Sequence, residues 1–276
     1  MVKILAAITT PFRADGEVDL DAFGAHLRWL EDQGLDGVFV GGTTGEGVLL
    51  ADGEVEALVG AAVAAARRLR VIAQVGRVST RATVALAERA LAAGAPAVAA
   101  YVPWFYPITQ EQIRVHFLAV LDAAGGAPAF IYNIPPRTVN DLSPQMAGEL
   151  ARAGFAGMKD STGDFARHEA YLDAVRGLDF EVFVGAEPLI VPSVRAGSAG
   201  SINGLANCRP ELLAALRDAL AGSEDGTVER LHGELSALKA EVKSEASTVS
   251  AVKRRVRERL AEVGIDYPAG PRAPFA

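Results

Sequence analysis

The chain has 276 residues, half of them hydrophobic, and a formal charge of −7 at pH 7; that is enough apolar surface for one large core, and it excludes the basic footprint of a nucleic-acid binder. Its single cysteine, Cys208, excludes an internal disulfide framework and fits a reducing compartment. No stretch approaches about eighteen uninterrupted apolar residues, and the apolar N-terminus is too short for a signal peptide, so a cytoplasmic protein without a membrane partner is expected.

In chain order, a short apolar run at 4–8 is followed by an amphipathic stretch at 20–33, and a second run at 37–40 by a stretch at 53–69. The alternation continues with runs at 71–75, 97–101, 129–132, 157–159, 181–184 and 200–202. Between them lie Ala/Leu-rich stretches at 80–93, 110–124, 144–153, 164–175 and 189–196. Runs of this kind are buried parallel strands, and the longer stretches are their crossover helices. Eight such units in about 200 residues have the size of an α/β (β/α)₈ TIM barrel, whereas a doubly wound sheet usually needs fewer strands.

After residue 208 the strands stop, and 210–221, 228–242 and 247–263 read as three additional C-terminal helices. The expected organisation is a barrel catalytic domain over 1–208 and a helical extension packed on it over 209–276. In the last helix Lys253, Arg254, Arg255 and Arg257 alternate with Val256 and Glu258, a solvated face. The Pro-rich end from Tyr267 to Ala276 reads as a surface tail.

Side chains at the C-terminal ends of barrel strands reach the active site. That rule picks out Lys159 at the end of the sixth run, among Phe155, Gly157 and Met158. Withdrawal from water disfavours an ammonium ion and supplies the neutral amine that attacks a ketone. The other reading of Lys159 is a side chain that snorkels to solvent or pairs with Asp160. Tyr132 ends the preceding run, where its phenol is either a proton shuttle or a packing group. The stretch Gly41-Gly42-Thr43-Thr44-Gly45-Glu46-Gly47 offers backbone N–H groups and two hydroxyls, a suitable cradle for a carboxylate. It lacks both the Walker sequence and the G-x-G-x-x-G spacing, so it does not point to a nucleotide. His26, His116, His168 and His232 are scattered over expected helices and read as structural or surface residues; no metal site is expected.

Four motifs then fall in one order: Gly42-Thr43-Thr44-Gly45-Glu46, Tyr132-Asn133-Ile134-Pro135-Pro136-Arg137-Thr138, Gly157-Met158-Lys159-Asp160-Ser161-Thr162-Gly163 and Ile202-Asn203-Gly204-Leu205-Ala206-Asn207. Together they resemble the dihydrodipicolinate synthase / N-acetylneuraminate lyase family of pyruvate-dependent class I aldolases, from about Ile4 to the last helix. The resemblance implies that Lys159 forms an imine with pyruvate, that Tyr132 is the acid/base phenol and that Thr43 passes its protons on. It implies that Thr44 holds the pyruvate carboxylate, that Gly185 and the backbone around Ile202 line the pocket, and that Arg137 receives the carboxylate of a second substrate. No cofactor beyond the covalent imine is implied, and the family's usual assembly is a homotetramer built as a dimer of dimers.

One position departs from the synthase pattern. There a second tyrosine, supplied across the tight dimer interface, completes the proton relay, and Pro103-Trp104-Phe105-Tyr106-Pro107 places Phe105 at that point. Phenylalanine passes no proton, and Tyr106 reaches the position only if the loop shifts by one residue. The expected function is therefore a pyruvate Schiff-base lyase acting on a sugar acid, as aldolase or dehydratase. The alternatives are 4-hydroxy-tetrahydrodipicolinate synthase and a catalytically silent keto-acid-binding protein, the latter opposed by the intact set Lys159, Tyr132, Thr43 and Thr44.

Overall fold

A computed structural model describes residues 2–222 and 224–274. Eight parallel strands, β1 (Lys3–Ala7), β2 (Gly37–Val40), β3 (Arg70–Gln74), β4 (Val98–Tyr101), β5 (Ala129–Asn133), β6 (Gly157–Asp160), β7 (Glu181–Val184) and β8 (Gly200–Asn203), close in sequence order into a barrel. The helices between them are α1 (Leu20–Asp32), α2 (Asp52–Ala65), α3 (Thr80–Ala92), α4 (Gln110–Ala124), α5 (Pro135–Thr138), α6 (Pro144–Ala153), α7 (Phe165–Ala174) and α8 (Ile190–Arg195). After β8 come α9 (Pro210–Gly222), α10 (Asp225–Ser244) and α11 (Thr248–Ala261). The fold is thus the expected (β/α)₈ barrel with three C-terminal helices. Among the described residues no helix is long and apolar enough to cross a membrane. The chain forms two compact units, one of Lys3–Val71 with the chain from Ile202 onward, the other of Ile72–Ser201.

In the first unit, β1 and β2 pair with Leu5 beside Gly37 and Ala7 beside Phe39. Asp19 caps α1 by accepting the Ala22 N–H at 3.0 Å. Helix α2 stops at Ala65, short of the expected residue 69, because the buried Glu31 carboxylate of α1 takes the backbone N–H groups of Arg67 and Arg68. Asn207 ties β8's outlet to β1: its Oδ1 accepts the Thr9 N–H at 3.0 Å and its Nδ2 donates to the Ala7 carbonyl at 2.8 Å.

Two expectations fail in this unit. Residues 267–272 are not a surface tail, and 275–276 lie outside the described residues: Tyr267 is fully buried and hydrogen-bonds Thr9 Oγ1 at 2.7 Å, while Arg272 pairs with Glu54. A Pro/Gly-rich segment has no period to advertise its burial, which here depends on single long-range partners. Nor is the basic run of α11 wholly solvated. Lys253 is fully buried and its Nζ lies 2.9 Å from Glu46 Oε1, whereas Arg254 and Arg257 are exposed.

His26 is also fully buried here, with Nε2 3.3 Å from the Asn207 carbonyl and its ring edge-on to Tyr267 at 5.3 Å. Burial lowers its pKa from 6.5 to about 4 against the pull of that carbonyl. The imidazole is neutral in the fold and titrates near 6.5 when unfolded. Stability is therefore expected to fall as pH drops from about 6.5 and to level off near 4, with His26 accounting for on the order of 3 kcal/mol. Denaturant midpoints from pH 7 to pH 4 should fall less steeply in His26→Gln; an unchanged slope would assign the acid loss to other groups.

In the second unit β4, β5, β6 and β7 pair in one register that sets Tyr101 beside Tyr132, Tyr132 beside Lys159, and Lys159 beside Phe183. Residues paired across parallel strands share a face, so this row points one way and Asp160 the other. The helices start on built caps. Ser79 caps α3, Ser143 caps α6 ahead of Pro144, Asp164 caps α7, and Thr109 with Gln112 forms a capping box on α4. Short α5 follows β5 almost at once, its φ preset by prolines at its first positions.

Candidate active site

Lys159 is 5 % exposed, and β6 continues one residue past it to Asp160. Its Nζ lies 4.3 Å from the centroid of the Tyr132 ring. That ring also stacks on Tyr101 at 4.8 Å, and Tyr101 meets Trp104 edge-on at 5.5 Å. Asp160 is turned away from this group, as strand alternation requires. Its Oδ2 takes His168 Nδ1 at 2.9 Å and its Oδ1 the Thr162 N–H at 2.9 Å.

Gly185, after β7, runs alongside the lysine: a Cβ there would fall 2.1 Å from Ser161 Oγ and 3.2 Å from Lys159 Cε. Its N–H donates to the Asp160 carbonyl at 2.7 Å, so the strand cannot move aside to admit a side chain. Sequence reasoning missed Gln74, at the end of β3. It is fully buried, its Oε1 accepts the Gly76 N–H, and its Nε2 has no partner among the described residues. A buried amide donor left over is suited to an oxygen that arrives with a ligand.

The loop after β4 carries Phe105 at φ 82°, in the left-handed region that L side chains avoid. Phe105 and Tyr106 are 69 % and 67 % exposed and meet edge to face at 4.9 Å. A second unforeseen residue, Asn140, holds this loop. Its Nδ2 donates to the Pro103 carbonyl at 2.7 Å and the Tyr106 carbonyl at 2.8 Å, and its Oδ1 accepts the Ile108 N–H at 3.0 Å. Arg137 is exposed on α5, in the same unit.

Thr43, Thr44 and Ile202 belong to the first unit. The turn that bears the threonines is closed by the Glu46 N–H donating to the Thr43 carbonyl at 3.1 Å and the Gly47 N–H to the Gly42 carbonyl at 3.1 Å. Thr10 Oγ1 donates to the Gly45 carbonyl at 2.7 Å. A Cβ at Gly47 would lie 1.7 Å from the Gly41 carbonyl oxygen, so the turn closes only with glycine there. Thr43 and Thr44 are half-buried, and a Cβ at Gly204 would sit 3.1 Å from Thr44 Oγ1. Ile202 is buried in β8. Glu46 itself, unassigned by the sequence, is fully buried against Lys253. Burial pushes the Lys253 ammonium below its ordinary range, and Glu46 pulls it back. The structure thus brings Lys159, Tyr132 and Gly185 together, pairs Phe105 with Tyr106, and sets Thr43 and Thr44 in one braced turn.

A closed parallel barrel with a buried lysine against a tyrosine at adjacent strand ends is the frame in which comparison with known proteins places this chain. The chain belongs to the Dihydrodipicolinate synthetase family, whose sequence profile matches residues 1–276. It is 35 % identical over 238 residues to a 4-hydroxy-tetrahydrodipicolinate synthase from Stenotrophomonas maltophilia (strain R551-3), an alignment covering 83 % of this chain and 80 % of that one. It is 30 % identical over 285 residues to an N-acetylneuraminate lyase from Rhizobium meliloti (strain 1021), covering 99 % and 88 % of the two chains. Among solved structures, KD(P)GA from T. tenax superimposes with a TM-score of 0.89 at 33 % identity, covering 99 % of this chain and 92 % of the other. The protein is an enzyme, a lyase of this family.

Proposed function

We propose that the enzyme binds pyruvate as an imine on Lys159 and makes or breaks a carbon–carbon bond beside it, with a 2-keto-3-deoxy sugar acid as the preferred substrate class and no cofactor. The observation that carries this reading is Lys159 itself, withdrawn from solvent with its Nζ against the Tyr132 ring.

In the cleavage direction the neutral amine attacks the keto carbon and water leaves, giving an iminium that acts as electron sink. Tyr132, relayed by Thr43, takes the proton of the C4 hydroxyl. The C3–C4 bond breaks to release an aldehyde, and its electrons form the enamine. Protonation at C3 and hydrolysis return pyruvate and free Lys159. Thr44 holds the carboxylate, and Gly185 and the backbone at Ile202 line the pocket.

Phe105 supports a sugar acid over aspartate semialdehyde. A relay that lacks one hydroxyl leaves Tyr132 without a route for its proton, a deficit on the order of 10² or more in rate. A polyhydroxy substrate brings hydroxyls of its own. The names of the Rhizobium relative and the T. tenax structure support the same choice. A coupled assay tests it: cleavage or dehydration of 2-keto-3-deoxy sugar acids should outrun condensation of pyruvate with aspartate semialdehyde. Robust condensation would put Tyr106 in the relay and restore the biosynthetic reading. We infer a homotetramer in the cytoplasm from the same resemblance, which sedimentation of the purified protein tests.

Arg137 is exposed on α5 and suited to a bidentate grip on a carboxylate. Arg137→Ala is expected to raise KM for an anionic second substrate by about tenfold while leaving the pyruvate adduct intact. An unchanged KM would reduce Arg137 to a structural residue.

A further inference from the structure

The turn that bears Thr43 and Thr44 is braced by the end of the chain. Glu46 sits in it at φ 57°, ψ 29°, a left-handed conformation for a residue with a side chain. Its fully buried carboxylate is taken at both ends: Oε1 by Lys253 Nζ at 2.9 Å and Oε2 by the Arg272 backbone N–H at 2.7 Å. Lys253 Nζ also donates to the Gly270 carbonyl at 2.6 Å. The Arg272 guanidinium donates to the two Glu54 oxygens at 2.7 and 2.6 Å, to the Leu49 carbonyl at 3.1 Å and to the Gly16 carbonyl at 2.5 Å. Both cations lie over the Phe12 ring, Lys253 at 4.5 Å and Arg272 at 4.3 Å from its centroid. Tyr267, bonded to Thr9, anchors the near end of the segment.

A left-handed glutamate and a buried carboxylate each cost free energy and persist only where their surroundings over-determine them. An unbraced turn so rich in glycine would sample many conformations, and a ligand would have to order it on binding. The Glu46 N–H is bonded to the Thr43 carbonyl, so a displacement of Glu46 is passed to the threonines.

We propose that residues 267–272 form a strap that presets the Gly41–Gly47 turn for the carboxylate of the keto acid, with Lys253 and Arg272 as positioning residues acting through Glu46. The inference rests on the reading of Thr44 as that carboxylate's partner.

The test uses full-length Arg272→Ala and Arg272→Lys, with steady-state kinetics and borohydride trapping on Lys159 across a range of pyruvate concentrations. Arg272→Ala should raise both KM for pyruvate and the half-saturating concentration for trapping by about tenfold, with kcat within about threefold and complete trapping at saturation. Arg272→Lys should recover most of the shift. Arg272→Gln, which keeps a donor but loses the ion pair to Glu54, is read by the same criterion should Arg272→Ala not fold. A lowered unfolding midpoint with unchanged KM would overturn the strap and leave a purely structural contact. Failure of the unaltered enzyme to trap pyruvate on Lys159 would instead overturn the Schiff-base reading, and this inference with it.

Discussion

Borohydride with pyruvate is expected to leave a reduced pyruvyl adduct on the unaltered enzyme, and Lys159→Ala to abolish it and to cut turnover by about 10⁴-fold or more, the scale of losing a covalent nucleophile. The expectation is specific to this lysine because Lys159 is buried at the end of a strand, beside a phenol. Lys239 and Lys243 also have amines but belong to α10, far along the chain from any strand end. Lysine to alanine also removes a long side chain from a packed place, so the variant's circular dichroism and melting must be compared with the unaltered protein. Mass spectrometry of peptides after reduction decides the matter. Labelling that persists in the variant, or that maps to α10, would sink the assignment.

The second large effect is at Tyr132. Tyr132→Phe deletes one oxygen and keeps the ring, so the stack on Tyr101 at 4.8 Å and the face offered to Lys159 Nζ survive. Turnover should fall by about 10² to 10⁴-fold, the usual worth of a positioned acid–base group. Adduct formation should be slowed as well, because carbinolamine dehydration needs the same proton. Rapid-quench kinetics separates that step from bond cleavage, and turnover near that of the unaltered enzyme would show that another group moves the protons.

The barrel was legible because its signals are periodic. Eight apolar runs alternate with helix stretches, and six of the eight barrel helices start on a capping residue or an acidic first turn. The placement of Lys159 and Tyr132 at the ends of neighbouring strands was legible by the same logic, since each closes an apolar run. What stayed hidden depends on partners distant in sequence. Lys253 looked solvated because its neighbours are arginines, yet its partner Glu46 is 207 residues away. The segment anchored by the buried Tyr267 has the composition of a tail. Asn140 gives no sign that it holds the loop of Phe105, and no composition announces that a phenylalanine will adopt φ 82°. Backbone conformation of this kind is settled by the surrounding hydrogen bonds, which single-residue preferences do not encode.

Strand β6 sets Lys159 on one face and Asp160 on the other, where His168 receives it at 2.9 Å. A two-residue repeat makes that arrangement indifferent to many substitutions and intolerant of any change in length. Deleting one residue between Gly157 and Lys159 would deliver the Asp160 carboxylate to the lysine's place, and inserting one would deliver the lysine amine to the imidazole of His168. A change of one residue in the length of this strand is therefore expected to be far more damaging than most substitutions within it.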